Sequence, residues 1–162
     1  MQPYVMSTHQ STVHWQKDTS DFTEGRYSRS HSWSFDGGAV VRASSSPRVV
    51  PVPWSDASAV DPEEAFVAAL SSCHMLWFLS LAAARGFIVE SYTDEAEGRM
   101  SAIAPLRLAI THVVLRPCVK FDAEHAATKE ELDALHLSAH QHCFLANSVK
   151  TEIRIEPAYE AS

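Results

Sequence analysis

Apolar and polar residues alternate along the first part of the chain, a pattern that predicts β-strands. Residues 11–16 alternate and predict a first strand. A second alternating stretch, 29–35, is followed by the turn sequence Asp36-Gly37-Gly38 and then by residues 39–43. A glycine-rich turn between two such runs is a strong hairpin signal. The first part of the chain is therefore predicted to be a small antiparallel sheet.

A long apolar stretch from 65 to 84 contains no charged residue and predicts a helix. Asp61 can cap the start of this helix, and Pro62 fits its first position. The acidic residues Glu63 and Glu64 favour the positive end of the helix dipole. A glycine at position 86 then predicts a stop close to Arg85.

The apolar stretch 65–84 is just long enough to cross a membrane, which takes about 20 residues. Several polar residues interrupt it, however, and the rest of the chain has strand patterns typical of globular proteins. We therefore predict a helix that is buried on most sides in a protein core. The interrupting residues are Ser71, Ser72, Cys73, His74 and Ser80.

The second half of the chain mixes strand and helix patterns. Residues 87–99 and 106–116 predict two strands, the second ended by Pro117. A capping box over 128–131 opens a second helix, and residues 149–156 predict a last strand. The predicted order is strands, long helix, two strands, helix, strand. This order indicates an α+β fold rather than a doubly wound sheet.

Composition limits the function. The 162 residues fit a single domain, 1–162, with residues 1–10 as a flexible N-terminus that lacks the pattern of a signal peptide. A net charge of −7 argues against nucleic acids and anionic membranes as partners. Three cysteines do not form a secreted disulfide framework, so we expect a cytoplasmic protein with reduced thiols.

Two cysteines lie in unusual settings. Cys73 is inside the apolar helix, and Cys143 is in the histidine-rich stretch 140–147. Either thiol alone is typical of inert packing. Two thiols flanked by polar residues and histidines in apolar stretches suggest a redox pair instead. The third, Cys118, follows a proline at a predicted strand end and is expected to be uninvolved.

Two motifs resemble the OsmC/Ohr family, the osmotically inducible protein C and organic hydroperoxide resistance proteins. The stretch from Asp61 to Cys73 resembles the family's Asn/Asp-Pro-Glu helix start with its first cysteine, and Cys143 with Asn147 resembles its second cysteine motif. The resemblance covers roughly 13–156. One departure is Phe144, where the family usually has proline.

The resemblance implies an α+β domain that forms an intertwined homodimer with mixed sheets. It also implies a thiol-dependent peroxidase that reduces organic hydroperoxides to alcohols. Cys73 would attack the peroxide and become a sulfenic acid, which Cys143 would resolve as a disulfide. A dithiol of the lipoyl or thioredoxin type would act as reductant, and no cofactor or metal is implied.

The attacking thiol must be ionised, which requires a nearby cation. The helix dipole cannot supply it, because Cys73 lies about three turns inside the helix and the effect fades after the first turn. An arginine is therefore expected, and we favour Arg29 over Arg48. The family's glutamate corresponds to Glu63, about 15 Å from Cys73 along the helix, so Glu63 would act from a second subunit. The other candidates are Arg26 and Arg42.

Two other classes of function remain open. A non-enzymatic protein of the same fold could hold a small apolar ligand. A weaker alternative is a metal-binding protein, because His136 and His140 have ligand spacing and His142 follows them. No motif completes a ligand set, so these histidines and His74 are expected either to tune a thiol or to be ordinary polar positions.

Overall fold

A computed structural model describes residues 6–18 and 21–159, which form two compact units that divide between Pro62 and Glu63. A single domain over the whole chain stays a prediction. Of the N-terminal segment expected to be flexible, residues 1–5 lie outside the described residues.

The first unit contains a three-stranded antiparallel sheet. Strand β1 (Ser11–His14) pairs with β2 (His31–Phe35), which in turn pairs with β3 (Val40–Ala43). The turn between β2 and β3 places Gly38 at a φ of 86°, where a residue with a Cβ would be strained. The predicted hairpin is therefore confirmed.

Helix α1 (Pro62–Ala84) lies where the capping residues predict it. At its end Gly86 takes a φ of 84°, and the N–H groups of Gly86 and Phe87 donate to the carbonyls of Ala83 and Ala82. This is a Schellman motif, which satisfies carbonyls that the end of a helix would leave unpaired. The local sequence thus determines both ends of the helix.

One stripe of α1 is buried, with Leu70, His74, Phe78 and Ala82 at intervals of four residues. By length and composition alone the helix could cross a membrane, with a mean hydropathy of 1.7. Its polar side chains are engaged inside the second unit, however, as the Ser71 hydroxyl donates to a carboxylate there. Such contacts are typical of a core helix in a globular protein.

Helix α2 (Lys129–His142) begins with the predicted capping box. The Glu131 N–H donates to the Thr128 hydroxyl, and the Thr128 N–H donates to the Glu131 carboxylate. The apolar face of α2 packs on α1 in one core cluster, which fixes the two helices against each other. The buried members of the cluster are Phe78, Ala82, Val119, Leu132, Leu135 and Ala139.

The described residues of the second unit also form five strands: β4 (Val89–Asp94), β5 (Glu97–Ala104), β6 (Arg107–Leu115), β7 (Pro117–Phe121) and β8 (Glu152–Ile155). One sheet pairs β4 with β7 antiparallel, and the other has the order β5-β6-β8, with β6 and β8 parallel. The α+β prediction is therefore confirmed.

The prediction of two strands between the helices is wrong in number. The first predicted strand, 87–99, is divided between β4 and β5, and β7 was not predicted, whereas the second, 106–116, is confirmed as β6. The Asp94 carboxylate accepts a hydrogen bond from the Arg116 backbone N–H at 2.6 Å. This bond takes the place of one to a backbone carbonyl of a neighbouring strand, and the strands on either side of it belong to different sheets. Pro117 opens β7 rather than ending a strand, a position where its missing N–H costs no ladder bond. These breaks depend on a contact between distant residues.

Candidate functional site

Cys73 lies near the middle of α1 and is half-buried. Four residues further on, Trp77 lies on the same side of the helix, since residues four apart are neighbours on a helix surface. Cys73 carries no disulfide, so its sulfur is available for chemistry.

Cys143 is the residue that ends α2, and it is 1% exposed. Its backbone N–H donates to the carbonyl of His140, which turns the chain out of the helix. In the next turn the Ala146 backbone N–H donates to the Cys143 sulfur at 3.4 Å. The Cys143 side chain is thus fixed by the local turn as well as by burial.

The structure brings Cys73 and Cys143 together as neighbours, close enough for the Cys73 thiol to affect the titration of Cys143. Burial, and then the neighbouring Cys73 thiol, raises the pKa of the Cys143 thiol to about 11. Neither cysteine is in a disulfide.

An aromatic cluster lies beside the cysteine pair. The Trp77 ring centroid is 5.1 Å from that of His142 and 5.4 Å from that of Phe144, which meets it edge-on. His142 and Phe144 flank Cys143 in sequence, so the aromatic contacts hold both sides of that cysteine to α1. The His142 Nδ1–H donates to the Ser138 carbonyl, which leaves Nε2 as the free ring nitrogen.

A second pair of side chains joins the two helices. His74 Nε2 and His136 Nδ1 share a hydrogen bond of 3.1 Å, and both residues are buried. The planes of the two imidazole rings differ by only 7° and the ring centroids are 5.4 Å apart, so the rings lie end to end in nearly one plane. Among the described residues, neither outer nitrogen has a hydrogen-bond partner.

Burial lowers the pKa of His74 to about 3 and that of His136 to about 4. His136 and His140 lower the pKa of His74 further, whereas Asp133 opposes the shift at His136. Both histidines are therefore neutral at physiological pH.

Acidification from pH 7 to 5 is expected to lower the free energy of unfolding. In this window the unfolded chain, with histidine pKa values near 6.5, binds protons that the folded chain does not. Each buried histidine contributes a slope of at most about 1.4 kcal/mol per pH unit. Urea denaturation at several pH values measures this slope of the free energy of unfolding against pH. His136→Leu should reduce the slope, while a change at the exposed His9 should not, and equal slopes in both variants would contradict the assignment.

The candidate arginines lie in the first unit. The Arg29 guanidinium donates to the carbonyls of Gly25 and Tyr27, at 2.7 and 2.6 Å, and covers the Tyr27 ring at 3.7 Å. Arg42 forms an ion pair with Asp56 at 2.6 Å, and the other two candidates, Arg26 and Arg48, are exposed. Arg29 is thus the candidate with the most firmly held side chain.

Glu63 is the second residue of α1, a helix end away from Cys73, and is half-buried. Cys118 lies in β7 opposite Thr93, in the two-stranded sheet. Within residues 6–18 and 21–159, no three His, Cys, Asp or Glu side chains are grouped so that they could hold a metal ion.

Sequence reasoning missed three features of the site: the Ala146 amide that donates to the Cys143 sulfur, the hydrogen bond between His74 and His136, and the contacts of Trp77. The histidines at 74 and 136 were both candidates, but nothing in their spacing paired them. A single histidine inside an apolar helix could have predicted this pair, because a buried imidazole needs a hydrogen-bond partner on the element that packs against the helix.

Comparison with known proteins identifies the family. The model of the OsmC-like protein family matches residues 55–158. An OsmC-like protein of unknown function from Vibrio cholerae is 51% identical, with a TM-score of 0.92, over 94% of this chain and 100% of that chain. No curated protein matches the sequence.

More distant structures share the fold. An organic hydroperoxide resistance protein OsmC from Legionella pneumophila is 16% identical, with a TM-score of 0.69, over 97% of this chain and 99% of that one. The organic hydroperoxide resistance protein OhrB of Bacillus subtilis is 14% identical, with a TM-score of 0.66, over 95% and 98%. The family match covers more than half of the chain and agrees with these structures, and we conclude that this chain belongs to the OsmC-like protein family.

Proposed function

We propose that this protein is a thiol-dependent peroxidase that reduces organic hydroperoxides to alcohols. The observation that carries the proposal is the proximity of Cys73, in α1, to Cys143, directly after α2, with neither thiol in a disulfide. A peroxidase of this type needs one thiol to react and a second within reach to resolve it.

The reaction balances with these two residues. The Cys73 thiolate attacks the outer oxygen of the hydroperoxide, the O–O bond breaks, and the leaving alkoxide takes up a proton to give the alcohol. Cys73 is then a sulfenic acid. The Cys143 sulfur attacks it, an S–S bond forms, the S–O bond breaks, and hydroxide leaves as water with the proton of Cys143. An external dithiol returns the disulfide to two thiols.

The relatives support the substrate class only in part. Two structures with the same fold carry the name organic hydroperoxide resistance protein, but their identities of 16% and 14% support the fold alone. The more similar Vibrio cholerae protein is described as of unknown function. The cysteine contact therefore carries the mechanism, and the substrate rests on the family.

Consumption of cumene hydroperoxide in the presence of a dithiol tests the proposal. We expect catalytic turnover that is faster with this substrate than with hydrogen peroxide, and a comparison of dihydrolipoamide with reduced thioredoxin identifies the reductant. A protein that consumes no hydroperoxide with either reductant would favour the alternative, a binding protein for a small apolar ligand.

The roles of Arg29 and Glu63 are part of the proposal. Arg29 would stabilise the Cys73 thiolate, supported by its already ordered guanidinium. Glu63 would hold the arginine from a second subunit, because it lies about 15 Å along α1 from the cysteine of its own chain.

Replacing Arg29 with Ala is expected to shift Cys73 alkylation by iodoacetamide to higher pH and to slow oxidation by about tenfold or more, since one pH unit corresponds to about 1.4 kcal/mol. Rates of Cys73 alkylation measured across pH test this prediction. Arg48→Ala is the matched control, and a shift in that variant alone would assign the role to Arg48.

We further propose a homodimer. Only one stripe of α1 is buried within the chain, while Leu76 on another face is 60% exposed and alanines at 68, 69, 83 and 84 are exposed as well. A second copy would cover this apolar surface. Light scattering is expected to give about twice 17.9 kDa, and a stable species of 17.9 kDa would contradict the dimer.

The cellular setting and the domain organisation follow as proposals. Free cysteines and the dithiol reductant are typical of the cytoplasm. A single domain over 1–162 would unfold in one cooperative transition that is the same by fluorescence and by circular dichroism.

A further inference from the structure

We propose that the buried pair of His74 and His136 is a proton relay across the contact between α1 and α2, with a water molecule bound at the outer nitrogen of each ring. The relay is a further activity, and it does not rest on the proposed function. His74 directly follows Cys73 in α1, and His136 bonds to His74 from α2. The peroxidase reaction uses neither histidine.

The inner hydrogen bond of the pair has the geometry for proton transfer. His74 Nε2 and His136 Nδ1 are 3.1 Å apart, and the two ring planes differ by 7°. In an imidazole the N–H bond and the lone pair of the other nitrogen both lie in the ring plane and point outward. Rings that lie end to end in nearly one plane therefore aim the N–H of one at the lone pair of the other. One proton lies between the two nitrogens, and either nitrogen can hold it.

The two outer nitrogens must have opposite roles. Both rings are neutral, because burial lowers the pKa of His74 to about 3 and that of His136 to about 4. A neutral imidazole has one N–H and one acceptor nitrogen. Whichever ring donates the inner bond has an acceptor at its outer end, and the other ring then has an outer N–H. The pair thus has a donor at one end and an acceptor at the other, and the ends swap when both tautomers change.

Water is the partner that suits both ends. His74 Nδ1 and His136 Nε2 are buried and have no hydrogen-bond partner among the described residues, and the two residues are 1% and 3% exposed. A buried N–H without a partner is costly, and water can donate at one end and accept at the other.

The Tyr92 hydroxyl is a second partner for the water at His136. It too is buried, with no hydrogen-bond partner in the part of the chain that the structure describes. The rings of Tyr92 and His136 both pack against Phe78, with centroids 5.6 and 4.5 Å from that of Phe78. A buried water molecule makes several hydrogen bonds, and the imidazole nitrogen and the phenol together begin such a set.

Transfer through the pair moves protons and no electrons. In one tautomeric state His74 Nε2 donates the inner bond. The water at His74 Nδ1 gives a proton to that nitrogen, the inner proton passes from His74 Nε2 to His136 Nδ1, and the outer proton of His136 Nε2 passes to the water there. Each step breaks one bond to hydrogen and forms another. Both rings are neutral before and after, one proton has in effect crossed the helix contact, and the reverse steps restore the first state.

Nitrogen-15 NMR of the histidine side chains at pH 8 tests the relay. We expect each ring nitrogen of His74 and His136 to show a chemical shift between those of a protonated and an unprotonated nitrogen, because both tautomers are populated and exchange. His142 is the matched control, since its Nδ1–H donates to the Ser138 carbonyl and holds that ring in one tautomer. A single fixed tautomer in either ring of the buried pair would overturn the relay.

The variant His136→Phe separates a relay from a packing contact. Phenylalanine keeps a flat ring against Phe78 but removes both nitrogens, so His74 should lose the exchange and settle in one tautomer. Unchanged exchange at His74 would contradict the relay, and the wild-type spectra decide the question where the variant does not fold.

A high-resolution crystal structure locates the water molecules. We expect one at about 2.7–3.2 Å from each outer nitrogen, and an outer nitrogen without water at either ring would overturn the proposed path. None of these measurements uses hydroperoxide, so a failed relay leaves the peroxidase standing, and an inactive protein leaves the relay standing.

Discussion

Replacing Cys73 with Ser is expected to abolish hydroperoxide reduction, with a loss of about a thousandfold or more, while the fold survives. The change is nearly isosteric at a half-buried position of α1, so the helix keeps its packing. A serine hydroxyl does not ionise at neutral pH and cannot replace a thiolate as the nucleophile. Steady-state consumption of cumene hydroperoxide with a dithiol measures the loss.

Cys118→Ser is the matched control for this experiment. Cys118 lies in β7 opposite Thr93, in the two-stranded sheet, and its replacement should leave turnover unchanged. Normal turnover in the Cys73→Ser variant would reject the mechanism, because a group other than Cys73 would then have to be the site of attack.

The sequence predicts the elements whose ends are determined locally. The capping box at Thr128 and the glycine at position 86 act on neighbouring residues, so their signals are complete in the sequence, and both helices follow them. The split of the predicted strand 87–99 shows the opposite case. The break between β4 and β5 depends on the hydrogen bond that the Asp94 carboxylate accepts from the Arg116 N–H, a contact that no local sequence pattern predicts.

The same distinction applies to the site. The two cysteine motifs are recognisable in the sequence, and the family resemblance led us to expect that they meet. The amide that donates to the Cys143 sulfur belongs to a turn whose geometry depends on where α2 ends. The bond between His74 and His136 requires α1 and α2 to pack at one register, which only the folded core determines. Chemistry carried by single residues was predictable, and chemistry created by packing was not.

The second large effect concerns resolution. After one equivalent of hydroperoxide, the wild-type protein is expected to contain a disulfide between Cys73 and Cys143 of the same chain. The two thiols are neighbours in the folded chain, and a disulfide between them requires a Cα separation of under about 7 Å. Peptide mass spectrometry without reduction identifies the pairing. A disulfide through Cys118 would contradict it.

Replacing Cys143 with Ser should leave the first reaction intact and stop the cycle after it. Cys73 would accumulate as a sulfenic acid, because the hydroxyl at position 143 cannot form a disulfide and Cys118 lies in the sheet of β4 and β7. Excess peroxide should then add further oxygen to Cys73, giving the sulfinic and sulfonic acids. Intact mass measured against equivalents of peroxide follows this series. Continued turnover in this variant, or a wild-type protein that over-oxidises equally fast, would show that Cys143 does not protect Cys73 and that its contact with Cys73 serves packing alone.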